Sequence, residues 1–312
     1  MFGFLTGLKK QGILGINNRN ANYVLRYNQR KYYPRVDDKL ITKELATKAG
    51  IAVPELYGVI KAVGQIKFIE NLIKDLNSFV VKPAKGSGGE GVLVLERTKK
   101  GTLRKPGGKV IDISDLQYHI SRILSGVFSL GGHPDMALLE YRVNFDPLFE
   151  NVSFLGVPDI RIVVFRGVPV MSMVRLPTST SDGKANLHQG AIGAGIDIRT
   201  GKTLGAVWRN QIVEEHPDTG NDIVDLKIPH WQDLLLLAAR CYELTGLGYQ
   251  GVDIVIDRDL GPLILEVNAR PGLNIQIANG TGLLPRLEKV ESAFMNDVPT
   301  PDKRVEFALE HL

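Results

Sequence analysis

Apolar and polar positions alternate between two periods along this chain. Asp37–Ala49 carries Leu40, Ile41 and Leu45 at helical spacing, with Asp37 or Asp38 before them as cap and Gly50 after them as stop. Ile66–Leu76 repeats the helical pattern. Phe79-Val80-Val81 and Val92-Leu93-Val94-Leu95 are β-branched or aliphatic runs on either side of a glycine loop, which predicts strand, loop, strand. Ser114 or Asp115 opens a helix to about Ser125, and Ala137–Val143 reads as a strand. Ile160–Phe165 and Val168–Val174 form a hairpin turned by Arg166-Gly167. Thr178–Gly195 reads as a polar loop. His230–Leu244 is a helix whose stripe is Trp231, Leu234, Leu235, Ala238 and Cys241, so Cys241 reads as a small buried hydrophobe. Gly251–Ile256 and Leu263–Val267 are strands around the turn Asp257–Gly261.

Helical and extended patterns thus alternate throughout, which predicts a mixed α/β or α+β protein, and no repeat of roughly 20–50 residues is visible. The polar stretch Asn144–Asn151 marks a boundary. The expected division is 1–37 as an N-terminal segment of one or two short helices, 38–150 as a first lobe and 151–312 as a second. The length of 312 residues fits two such lobes.

Composition narrows the class. A single cysteine, Cys241, excludes an intrachain disulfide framework and a cysteine-rich zinc site. The first fifteen residues are apolar but broken by Lys9 and Lys10, with no cleavage pattern. No apolar run approaches the ~20 residues of a membrane span. A cytoplasmic protein is the expectation. The net charge of +4 suits phosphate-bearing partners, but no aromatic-plus-basic motif points to nucleic acid. The chain holds 33 glycines, against roughly 22 for average usage of ~7 %.

Part of that surplus is concentrated in one loop. Gly86, Ser87, Gly88, Gly89, Glu90 and Gly91 fit the dinucleotide pattern G-x-G-x-x-G, but that pattern needs a helix next and a strand follows instead. No Walker loop is present. What is left is a hairpin tip rich in backbone N–H groups beside Lys82 and Lys85, suited to cradle phosphates. A plain hairpin loop is the competing reading.

The strands Gly251–Ile256 and Leu263–Val267 carry the second constellation. Glu266 and Asn268 share a strand face, and Asp253 joins them if the hairpin sets its start opposite the end of the next strand. Two carboxylates and an amide oxygen are a ligand set for Mg²⁺ bridging phosphates. A polar sheet face with Glu266 paired to Arg270 is the alternative. Arg161, Arg175, Lys184, Asn186 and His188 supply cations and donors for a transferring phosphoryl group, with His188 as base or donor.

In that order these residues resemble the ATP-grasp superfamily, and within it the RimK-type α-L-glutamate ligases. The matching segments are Asp38-Lys39, Val81-Lys82-Pro83 with Gly86–Gly91, and Leu139-Glu140-Tyr141. Then follow Asp159-Ile160-Arg161 with Asn186–Gly190, and Gly251-Val252-Asp253 with Glu266–Gly272. The family usually has an arginine where Gln189 stands. The resemblance implies an ATP-grasp fold, with ATP held between antiparallel sheets of two α+β lobes. Lys39, Lys82 and Lys85 would meet ATP phosphates under a lid of Gly86, Ser87, Gly88, Gly89 and Gly91. Glu140, Tyr141 and Val143 would border the adenine, through backbone groups. Asp146 or Glu150 would take the ribose. Asp253, Glu266 and Asn268 would hold Mg²⁺, or Mn²⁺ in its place. Arg161 and Arg270 would stabilise transferred charge, with Asn186 assisting. The implied activity joins a carboxylate substrate, such as an amino acid, to an amine of a peptide, protein or small molecule through an acyl phosphate. A nucleotide-binding regulatory or scaffold subunit is the second reading. Typical members carry a further domain before the lobes, where this sequence has about 37 residues before Asp38.

Overall fold

The computed structural model describes residues 11–294 and 297–312. The expectation about the first residues of the chain therefore lies mostly outside the described residues. By contact the chain forms two compact units. Among the described residues the smaller comprises 37–43 and 53–143, and the larger comprises 11–36, 44–52, 144–294 and 297–312. The division thus falls after Val143, and the N-terminal segment belongs with the larger unit.

The smaller unit is a six-stranded antiparallel sheet of β1 (Leu56–Ile60), β2 (Ser78–Pro83), β3 (Leu93–Arg97), β4 (Leu103–Arg104), β5 (Val110–Ile111) and β6 (Ala137–Glu140), in the order β1-β6-β2-β3-β4-β5. The apolar runs flanking the glycine loop pair as expected, with Phe79 opposite Leu95 and Val81 opposite Leu93. Their inward side chains pack on Leu116, Ile120 and Ile123 of the helix Ile113–Leu124 and on Ile69 and Ile73.

Two elements of this unit differ from the sequence expectation. The cap of Ile113–Leu124 is Asp112, whose Oδ1 accepts from the Asp115 amide at 2.8 Å and from Ser114 Oγ at 2.7 Å, so Ser114 braces the cap rather than forming it. The helix expected over Ile66–Leu76 starts earlier and stops sooner: a tight turn Val63–Phe68 runs into a short helix Ile69–Ile73. Gln65 causes the early start, because its Oε1 accepts from the Lys61 and Ala62 amides at 2.7 and 3.1 Å.

The helix Lys39–Lys48 starts where expected, with Asp38 Oδ1 2.9 Å from the Leu40 amide. Its stop is Gly50, in the left-handed conformation.

The larger unit is a seven-stranded antiparallel sheet of β7 (Asp159–Phe165), β8 (Val168–Leu176), β9 (Ile192–Ile196), β10 (Thr203–Trp208), β11 (Gln211–Val213), β12 (Tyr249–Asp257) and β13 (Gly261–Asn268). The order is β11-β10-β9-β8-β7-β12-β13. Arg166 and Gly167 turn the first hairpin with φ of 49° and 78°. The helix Trp231–Thr245 packs on β7 and β8, and its stripe of Trp231, Leu234, Leu235, Ala238 and Cys241 is buried. Burial pushes the Cys241 thiol up, so it behaves as a hydrophobe and not as a reactive thiol.

The stretch expected as a polar loop over Thr178–Gly195 ends instead in β9, whose residues are all buried. Its glycines read as loop in the sequence, but they serve close packing. A Cβ on Gly193 would lie 2.8 Å from Leu187, and one on Gly195 would lie 2.5 Å from the Ala278 carbonyl. Strands β10 and β11 had no expected counterpart.

The N-terminal segment of the larger unit is helical over 16–27, with a π-helical stretch Arg19–Val24. Tyr23 and Tyr27 pack edge-on against Phe165, and Arg19 donates to the Pro271 carbonyl at 2.8 Å. The segment thus braces the chain just beyond Asn268. Among the described residues no helix is long and apolar enough to cross a membrane.

Candidate active site

In the smaller unit, antiparallel register fixes a lysine–glutamate cluster. Glu140 of β6 lies opposite Val80 of β2, so its carboxylate reaches diagonally to Lys82, two residues along the same face. The Lys82 ammonium is ion-paired with Glu140, and Lys43, from the helix Lys39–Lys48, stands 3.1 Å from the other oxygen. All three side chains are buried. Burial by itself would raise the Glu140 carboxyl, but the two ammonium groups outweigh it and hold the group below the usual carboxylate range. Burial lowers Lys43. Two lysines share one carboxylate, so the cluster carries an excess positive charge that favours an anion.

The glycine loop starts directly beyond. Lys39 Nζ donates to the Gly86 carbonyl at 2.5 Å, and the Lys85 amide donates to Asp135 Oδ2 at 3.0 Å. At the far end the His119 ring contacts the Gly91 carbonyl at 2.9 Å. Gly91 has φ of +74°, and a Cβ there would lie 2.6 Å from the Phe128 ring. Between these anchors Ser87, Gly88, Gly89 and Glu90 are exposed. This is a loop tied at both ends with an exposed tip, the form of a lid.

The Glu140 side chain is committed to this ion cluster. The Tyr141 amide is committed to the Glu55 carbonyl at 2.8 Å, and Val143 is buried. One of the backbone donors expected to face the adenine is therefore used within the fold.

In the larger unit, register brings the expected metal set together. Asp253 of β12 lies directly opposite Glu266 of β13, and Gly251 opposite Asn268. On its other side Asp253 lies opposite Arg161 of β7. Arg161 binds both Asp253 oxygens, at 2.7 and 2.6 Å. Asn268 Nδ2 is 3.2 Å from both Asp253 Oδ2 and Glu266 Oε1.

Two further residues complete the cluster. Asp159 shares a strand face with Arg161 and lies opposite Arg175 of β8. The Arg175 fork grips the Asp159 carboxylate, and its Nη2 also donates to Asp253 at 2.9 Å. Burial would raise Asp253, but Arg161 and Arg175 overcome it and hold the carboxylate ionised. Asp159, buried, is pushed up to about 6 by burial despite Arg175. The i, i+2 spacing of Asp159 and Arg161 signals their shared face in the sequence. The role of Arg175 needed the β7–β8 register, and that of Lys43 needed its spacing of four residues from Lys39.

The other expected residues stand apart in role. Asn186 Oδ1 accepts from the His188 amide at 3.0 Å and so caps the turn Leu187–Gln189, while the His188 ring is exposed. Arg270 is exposed, with its guanidinium 5.4 Å from the Tyr33 ring. Asp146 Oδ1 caps Leu148 at 2.9 Å, and Glu150 pairs with Arg258 at 2.5 Å.

The residues fit a divalent cation. Asp253 and Glu266 lie directly opposite each other on neighbouring strands, and two carboxylates so placed take up a proton or a cation. Asp159, Asp253 and Glu266 face two guanidiniums, so the cluster has net negative charge. Among the described residues no group of three or more His, Cys, Asp or Glu is placed to hold a metal. Two carboxylates and an amide oxygen are instead a hard-oxygen donor set of the kind a divalent cation uses together with other ligands.

Known proteins resemble the chain as follows. It is 22% identical over 231 residues to the probable alpha-tubulin polyglutamylase Ttll1 of Tetrahymena thermophila, covering 67% of this chain and 52% of that protein. The chain therefore spans about half the length of that curated relative. The ATP-grasp ligase PsnB complexed with minimal precursor superposes with a TM-score of 0.45 at 15% identity, over 86% of this chain and 62% of that one. D-alanine–D-alanine ligase from Bacillus anthracis gives 0.43 at 16% identity, over 89% and 67%. The family of sugar-transfer associated ATP-grasp proteins matches residues 18–292, most of the chain. The two antiparallel sheets, the glycine-loop hairpin and the carboxylate row lie within those residues, and the chain is a member of the sugar-transfer associated ATP-grasp family.

Proposed function

We propose that the chain is an ATP- and Mg²⁺-dependent carboxylate–amine ligase. The cross-strand row Arg161–Asp253–Glu266, closed by Asn268, carries the reading. It sets guanidinium and carboxylate groups side by side, as phosphoryl transfer requires, and needs no protein nucleophile. In this reading the smaller unit is the lobe with the lid and the larger is the lobe with the metal set.

A substrate carboxylate oxygen attacks the γ-phosphorus of ATP, the bond to the β-phosphate oxygen breaks, and ADP leaves. An amine then attacks the acyl carbon, phosphate leaves with the bonding pair, and the amine proton passes to a base. Lys39, Lys82 and Lys85 hold phosphate oxygens, and Lys82 can turn from Glu140 to phosphate because Lys43 stays with the carboxylate. Ser87 and the lid glycines close over them. Asp253, Glu266 and Asn268 would hold Mg²⁺, which when bound would supply charge neutralisation for phosphate. Arg161 and Arg270 stabilise charge on the transferred group. Asn186 holds the turn that presents His188, the candidate proton acceptor. The carboxylate donor in this reading is an amino acid such as glutamate, the acceptor an amine of a peptide, protein or small molecule. A reaction fed by ATP suits the cytoplasm.

Hydroxylamine tests the first step without knowledge of the acceptor. Incubation with Mg²⁺, ATP, an amino-acid mixture and hydroxylamine should give a hydroxamate and an equal amount of ADP. Nucleotide binding with neither product would favour the scaffold reading.

A further inference from the structure

Beside the turn Leu187–Gln189 the larger unit has a cleft of about 370 Å³. Its polar lining includes His188, Arg209, Asn210 and Asn274, and Val207 and Ile277 supply apolar wall. Among the described residues the lining includes no Asp or Glu, and Arg209 is its one permanently charged side chain. A concave site of this volume suits a molecule the size of an amino acid, and a guanidinium in it selects for an anion.

The cleft is built around Arg209. Arg209 and Asn210 form the tip between β10 and β11 with φ of 50° and 64°, a left-handed pair made without glycine. The tip is fixed to the cleft wall by Trp208, whose Nε1 donates to the Gly190 carbonyl at 2.9 Å. The Arg209 guanidinium lies 5.0 Å from the Trp208 ring, with Nη2 3.5 Å from Thr180 Oγ1. The cleft also adjoins the carboxylate row through the sheet. Leu187 covers Gly193, Gly193 pairs with Arg175, and Arg175 binds Asp253.

We propose that this cleft receives a small, amino-acid-sized substrate by an anionic side-chain group, and that Arg209 reads the charge of that group. That the ligand is a substrate rests on the ligase reading; its binding does not, and is measured without nucleotide. L-Glutamate and L-glutamine are the probes, equal in shape and different in charge, followed by calorimetry on the full chain. Wild type should bind glutamate at least tenfold more tightly than glutamine. Arg209→Asn, chosen because asparagine tolerates a left-handed backbone, should lose that preference while melting like wild type, and Arg209→Lys should restore part of it. Equal binding of the two probes, absence of binding of either, or an undiminished preference in Arg209→Asn would overturn the proposal. Failure of the ligase reading would appear separately, as no hydroxamate from a protein that still prefers glutamate.

Discussion

Arg161 binds both carboxylate oxygens of Asp253 across the adjoining strands β7 and β12, at 2.7 Å from Nε and 2.6 Å from Nη2. Asp253 is almost wholly buried, so this fork, with Arg175, replaces the water it has lost. Arg161→Met should lower the unfolding free energy by about 3 kcal/mol, the scale on which one partner of a buried pair is missed. Arg161→Lys should recover only part, because an ammonium cannot bind both oxygens in one plane. Urea unfolding measures both; equal stability of all three proteins would mean that the fork contributes nothing.

Arg175 touches Asp253 without belonging to the proposed ligand set. It crowds Oδ2, which also receives Arg161 and Asn268, whereas Oδ1 receives Arg161 Nε. Losing such a supporting contact commonly lowers metal affinity by about 10–100-fold. Arg175→Met should weaken Mn²⁺ binding on that scale, read by electron paramagnetic resonance without any substrate. Unchanged Mn²⁺ affinity would separate Arg175 from the metal.

Glu140 gives a pH dependence of definite sign. Its folded pKa lies below the unfolded value, so its contribution to stability is present above about pH 4.3 and is lost as pH falls toward the lower, folded value. Glu140→Gln leaves Lys82 and Lys43 without the carboxylate, and should be less stable near neutrality. It should also lose less stability on acidification than wild type. Urea unfolding between about pH 3.5 and 7 compares the slopes; parallel slopes would contradict the assignment.

Gly91 should not accept a side chain. Its φ of +74° and the Phe128 ring 2.6 Å from a Cβ make Gly91→Ala a loss of about 1–3 kcal/mol. That change should also weaken ATP binding, since it displaces one anchor of the lid. Gly107→Ala, where nothing lies within 4 Å of a Cβ, is the control and should leave both unchanged.

The sequence was most readable where local pattern and tertiary packing agree. The glycine-loop hairpin and the stripe of Trp231–Thr245 follow from period and spacing. The pairing of Asp253 with Glu266 is expected only if the hairpin aligns them, and it takes a register shift between Asp253 and Ile254 that only the fold reveals. Strand β9 was obscured because its alternating glycines answer to Leu187 and Ala278, neighbours that only the fold reveals. Lys43 was obscured for the same reason, because it is defined by the carboxylate it meets; Arg175 is expected among the pocket cations, but its carboxylate partners Asp159 and Asp253 needed the fold. Asn186 kept its position but takes a local task, since its side-chain oxygen caps the next turn.

The central claim is ATP-driven amide formation that depends on the carboxylate row. Its most direct measurement is mass spectrometry of purified protein incubated with Mg²⁺, ATP and a mixture of amino acids and peptides, beside the Glu266→Ala variant. The account predicts a product heavier than its acceptor by one amino acid less one water, with one ADP and one phosphate per bond, and none of these from the variant. Amide product made equally by Glu266→Ala, or no product and no ADP from wild type with any pair, would contradict it.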